Sequence, residues 1–178
     1  MKKILIPIFI AIIFTIGCEN TMNTPTSKVE SFLGKYQKMD TDVVKELKEV
    51  LKEDTSMTKE EKEIYQSLLE KQYQNLSYKI KNEEVEKNHA TVDVEIEVLD
   101  YKTSINKSKK YYEDHIDEFK ETKEENNKKT YMEYKLEELK KVNNKIKYEM
   151  TFSLTKTDGI WIMDNLTDID RKKIHGLY

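Results

Sequence analysis

The apolar positions of the chain follow three patterns in turn. Ile4 to Ile16 is an uncharged, mostly apolar run with no periodicity. Beyond residue 24 the apolar positions recur at helical spacing. Val29, Phe32, Leu33 and Tyr36 mark a first helix near 25–38, Val43, Val44, Leu47, Val50 and Leu51 a second, and Ile64, Tyr65, Leu68, Leu69 and Tyr73 a third. After Asn75 the period falls to two. Leu76, Tyr78 and Ile80, a turn near Lys87-Asn88, and then Ala90, Val92, Val94, Ile96 and Val98 describe a hairpin, with a bulge where Val85 falls out of phase. Residues 103–143 return to helical spacing, with Tyr112, Ile116 and Phe119 on one piece and Met132, Leu136, Leu139 and Val142 on another. Lys120 to Thr130, between them, has no apolar residue and reads as a wet helix or the joint of a helical hairpin. Ile146, Tyr148, Met150, Phe152 and Leu154 form a third strand, and Asp158-Gly159 turns it into a fourth through Trp161 and Met163.

Start and stop signals agree with this division. Thr24-Pro25 resembles an N-cap with proline at the first helical position, while Ser27-x-x-Glu30 offers a competing capping box. Asp40 or Thr41 can cap the second helix and Thr58-x-x-Glu61 the third. Thr167 or Asp168 can start a short last helix that Gly176 stops. The expected fold is α+β: three N-terminal helices, a four-stranded antiparallel sheet with a helical insertion between strands two and three, and a short C-terminal helix. Asp93, Glu95 and Glu97 occupy the polar phase of strand two, and Lys145 and Lys147 that of strand three. Opposite charges stabilise antiparallel neighbours by roughly 0.2–1 kcal/mol per pair, so these strands are expected to be adjacent in a sheet with one wet face.

The first segment changes the picture of the whole chain. Met1-Lys2-Lys3 precedes the apolar run, whose rise as a helix is about 20 Å, short of a hydrocarbon core of roughly 30 Å. An export signal fits better than a transmembrane helix. The run ends Thr15-Ile16-Gly17-Cys18, which resembles the lipobox of bacterial lipoproteins. The resemblance implies cleavage between Gly17 and Cys18 and acylation of the Cys18 thiol. Residues 1–17 would be the signal peptide, 18–27 a tether, and 28–178 one α+β domain held at the extracytoplasmic face of the cell membrane. Two acyl chains suffice for stable anchoring where one is marginal.

Composition narrows the function without naming it. Charged and apolar residues each make up 37% of the 178 residues, with mean hydropathy −0.80, which excludes a multi-pass membrane protein. The net charge of −3 with both signs mixed gives no nucleic-acid footprint. One cysteine precludes an intramolecular disulfide framework. Gly34, Gly159 and Gly176 are isolated, so no phosphate loop is expected. His89, His115 and His175 have no second histidine at ligand spacing. The acids of Asp164 to Asp170 lack the central glycine and distal glutamate of a calcium loop. No catalytic residue, metal or cofactor is therefore expected. The eleven tyrosines suit core edges, with Tyr78, Tyr148 and Trp161 as candidate ligand-binding residues.

The element order and the ending Asp158-Gly159-Ile160-Trp161 resemble small lipoproteins of low-GC bacteria, whose domains are often cystatin-like or nuclear-transport-factor-like α+β cones. That resemblance implies a noncatalytic domain that binds an envelope protein, a polymer or a small ligand. It also admits an enzyme of the ketosteroid-isomerase type, with acid and base converging in a cone-shaped pocket. A purely structural subunit would instead carry an exposed apolar patch.

Overall fold

The computed structural model describes residues 23–53, 56–119 and 128–178. They form an α+β fold around a four-stranded antiparallel sheet in the order β1-β2-β3-β4. Helices α1 (Pro25–Gln37), α2 (Thr41–Glu53) and α3 (Lys59–Asn75) lead into β1 (Ser77–Glu86) and β2 (His89–Leu99). Helices α4 (Tyr101–Asp114) and α5 (Tyr131–Lys140) follow, then β3 (Lys145–Thr157), β4 (Ile160–Met163) and α6 (Asp168–Ile174).

Local chemistry sets the boundaries. Thr24, Thr58, Thr130 and Thr167 each accept the N3 backbone N–H while the N3 side chain, Ser27, Glu61, Glu133 or Asp170, reaches back to the cap. Each such cap stabilises its helix by about 1 kcal/mol. The Thr24 box wins over the one at Ser27, so Pro25, Thr26 and Ser27, assigned to the tether from sequence, are helical. Asp158 and Gly159 both have positive φ, 50° and 80°, as a type I′ hairpin requires.

The sheet is wet on one face. On the other, Val92, Val94, Ile96 and Val98 are fully buried, and Phe152 and Leu154 are nearly so. Each contributes roughly 1.5–3 kcal/mol of burial against Val29 and Leu33 of α1, Leu69 and Tyr73 of α3, and Ile174 of α6. A second cluster joins Leu68 of α3 to Leu99, Tyr101, Leu136 and Leu139. Helix α3 therefore belongs to both, and its Tyr101 contact is fastened by a hydrogen bond from the Tyr101 hydroxyl to the Leu68 carbonyl at 2.8 Å. Desolvation pushes that phenol up to about 12.

Strands β2 and β3 are neighbours, as the charge pattern predicts, but the pairs are diagonal. Glu97 lies opposite Lys147 and Glu95 opposite Glu149. Lys147 reaches across to Glu95 at 2.8 Å and Lys145 to Glu97 at 3.7 Å. Lys81 adds a second cation on Glu95 at 3.0 Å. Hydrogen bonds from Lys147 and Lys81 hold the Glu95 carboxyl down to about 2. Lys81 is also the bulged residue, since the register shifts between Ile80 and Asn82. The bulge thus precedes Val85, and it is what moves Val85 and Glu83 to the helix-facing side. There Glu83 accepts the Thr26 N–H in the first turn of α1 at 2.8 Å.

Candidate functional site

Tyr78 and Tyr148 share one cross-strand row, each paired with Ile96 from opposite sides. Both pack on the main core as partly buried side chains. The Tyr148 hydroxyl donates to the Tyr178 carbonyl at 2.9 Å, and the two rings meet edge to face at 5.7 Å. The C-terminal residue therefore covers Tyr148. Trp161 pairs with Lys156, eight residues along β3 from Tyr148, which is about 27 Å at strand rise. It is 6% exposed, with the Lys156 ammonium over its ring at 5.4 Å. The three candidate aromatics therefore do not meet in one site. Gly17 and Cys18 lie outside the described residues.

A groove of about 890 Å³ separates the N-terminal turns of α3 and α5. Three of its acidic side chains are engaged. Glu61 and Glu133 accept the cap N–H groups of Thr58 and Thr130 at 2.7 Å each, and Glu137 pairs with Lys129 at 2.6 Å. Lys128 and Lys129 are not helical, so a wet helix does not run through them. A smaller cleft of about 440 Å³ runs along α2 past Met39 and Val44, flanked by Lys45 and Lys48. Among the described residues, no group of three His, Cys, Asp or Glu side chains could hold a metal ion.

Sequence reasoning missed the aromatic cluster at the α4–α5 end. Tyr111, Tyr112 and Tyr134 close on Phe119 with ring centroids 5.0–6.3 Å away, and Tyr111 stacks on both His115 at 4.2 Å and Tyr134 at 5.1 Å. Tyr112 meets Tyr131 at 4.8 Å. Such pairs contribute about 0.5–1.5 kcal/mol each beyond area burial, which explains how a segment poor in aliphatic residues holds two helices together. The i,i+4 spacing of Tyr111 and His115 was the available signal. A hydrogen bond to Glu118, at 2.7 Å, raises the Tyr111 phenol.

The three histidines are dispersed. His89 begins β2, His115 caps α4, and His175 caps α6. Only His175 is deeply placed, its Nε2 3.1 Å from the Tyr73 hydroxyl and its ring 5.6 Å from the Tyr73 ring. Tyr73 in turn packs on Tyr36 at 4.9 Å. Desolvation, then the Arg171 charge, lowers the His175 pKa from 6.5. The folded state thus favours neutral imidazole, so the unfolded state binds more protons and stability is lost as pH falls below about 6.5. We expect the urea midpoint to decline between pH 7 and 5. His175→Gln, which removes the titration, should flatten that slope; identical slopes would place the acid sensitivity elsewhere. Glu95 titrates well below this window.

No protein-family model, curated protein or solved structure matches the chain. Its function therefore has to be argued from its own residues.

Proposed function

We propose that the protein is a lipid-anchored lipoprotein of the extracytoplasmic membrane face whose domain is a noncatalytic binding or envelope-interaction module. The observation that carries the reading is the order of parts at the N-terminus: Lys2-Lys3, the uncharged run Ile4 to Ile16, then Gly17 and Cys18, the only cysteine in the chain. Among the described residues no helix is long and apolar enough to cross a membrane, so the described domain supplies no anchor of that kind.

The interior of the sheet-helix layer supports binding over catalysis. In a cone-shaped enzyme that space is a pocket with converging acid and base. Here Val94, Ile96, Phe152 and Leu154 fill it at 0–1% exposure. The element order, with α4 and α5 inserted between β2 and β3, is read as a cystatin-like or nuclear-transport-factor-like layout that has acquired a helical insertion. The partner is then met on an outer surface, by an envelope protein, a polymer or a small ligand.

Acylation is tested by feeding a clickable fatty-acid analogue to bacteria that express the chain with its own leader. Wild type should carry the label in the membrane fraction, and Cys18→Ala should carry none. Equal labelling of the two would overturn the anchor.

A further inference from the structure

The chain enters the fold at one end of the sheet and is fastened there. Asn23, directly before the cap of α1, donates its side-chain amide N–H to the Gly159 carbonyl at 2.9 Å, and its Oδ1 accepts the Trp161 N–H at 3.0 Å. It thereby behaves as one more rung on the edge strand β4. The β1–β2 turn lies at the same end, since the Lys156 N–H donates to the Asn88 carbonyl at 2.7 Å. Three of the six exposed large apolar side chains among the described residues, Val85, Ile160 and Ile162, sit in these last rows at 51–53% exposure. In the sheet register they are level with Leu154, Thr157 and Thr155 of β3.

Length excludes an inverted orientation. Five residue steps separate Cys18 from Asn23, at most about 18 Å of extended chain. From Thr157 back to Lys145, strand β3 measures about 40 Å. An inverted domain, with Lys145 at the lipid, would hold Asn23 about 40 Å above the surface and out of reach of the acylated cysteine.

We infer that the hairpin end of the sheet, carrying Ile160 and Ile162, is the face the domain turns to the lipid bilayer, while the α5–β3 junction at Asn143 and Asn144 points away. This rests on the acylation of Cys18 and specifies its geometry. The isoleucines, about half exposed among the described residues, then lie against the headgroup region.

Trp161 is the only tryptophan and sits beside the Asn23 clamp, so it reports this distance directly. The acylated protein, verified by intact mass, is reconstituted into phosphatidylethanolamine–phosphatidylglycerol vesicles containing a dansyl-headgroup lipid. Strong energy transfer from Trp161 to dansyl is expected. In Trp161→Phe/Asn143→Trp most of that transfer should be lost. Asn143→Trp alone retains Trp161, which guards against misfolding of the double variant. There the transferred fraction should fall, because one of the two emitters stands far from the lipid. An acylated protein in which the Asn143→Trp probe transfers as well as Trp161 would overturn the orientation. A mass without the diacylglyceryl group would overturn the anchor instead, a separate readout.

Discussion

Gly176→Ala is expected to cost about 4 kcal/mol or more of folding stability. Gly176 ends α6 at φ 67° as the left-handed residue of a Schellman turn, with its N–H on the Lys173 carbonyl and the following Leu177 N–H on that of Lys172. A Cβ there would overlap the Leu99 carbonyl oxygen and the Gln72 amide nitrogen. Neither neighbour can withdraw: Leu99 is backbone at the end of a buried strand, and Gln72 is 0% exposed. The Gly176 carbonyl also accepts the Lys102 N–H at 2.8 Å, so displacing the turn disturbs the start of α4. A melting temperature lower by roughly 8–16 °C should follow. Gly34→Ala is the matched control. Nothing lies within 4 Å of its added Cβ, and in mid-helix it should stabilise by about 0.5–1 kcal/mol. If the two variants melted alike, the close approach at Gly176 would not exist.

What was legible in the sequence and what was not divide along a physical line. The capping box at Thr58, a helix start at Thr167 or Asp168, the alternation of Val92, Val94 and Ile96, and the Asp158-Gly159 turn are decided by residues within a few positions of one another. The adjacency of β2 and β3 is a long-range fact, yet it was readable because Glu95, Glu97, Lys145 and Lys147 carry matching charges on matching phases. Gln72 shows no such signal. In α3 it reads as a polar residue beside Leu68, Leu69 and Tyr73, and its burial depends on Leu99 and Gly176, both distant in sequence. The bulge was legible as a change of phase at Val85, but its position at Lys81 depends on pairing with β2. The candidate ligand aromatics failed to converge for the same reason. Strand phase put Tyr78, Tyr148 and Trp161 on one face, but only the register shows Trp161 at the far end of that face from the other two.

Gln72→Leu should also be strongly damaging, at about 2–5 kcal/mol. The Gln72 amide closes a two-bond clamp on one residue: its Oε1 accepts the Leu99 N–H at 2.7 Å, and its Nε2 donates to the Leu99 carbonyl at 2.9 Å. Leu99 is the last residue of β2 and pairs with Lys145 on the β3 side, but β1 begins only at Ser77, opposite Glu97, so no strand meets Leu99 on that edge although it is buried at 2% exposure. Leucine matches glutamine closely in size and fills the space, so the loss measured is that of the two hydrogen bonds and not of a cavity. The double variant Gln72→Leu/Gly176→Ala makes the assignment specific. The Gly176→Ala methyl overlaps both the Gln72 amide and the Leu99 carbonyl. Once the clamp is cut, the Leu99 carbonyl is freer to move, and part of the penalty for the methyl is already included. The two losses should therefore sum to more than the double variant shows, by about 1 kcal/mol or more. Full additivity in urea denaturation would mean that Gln72 and Gly176 act on Leu99 independently.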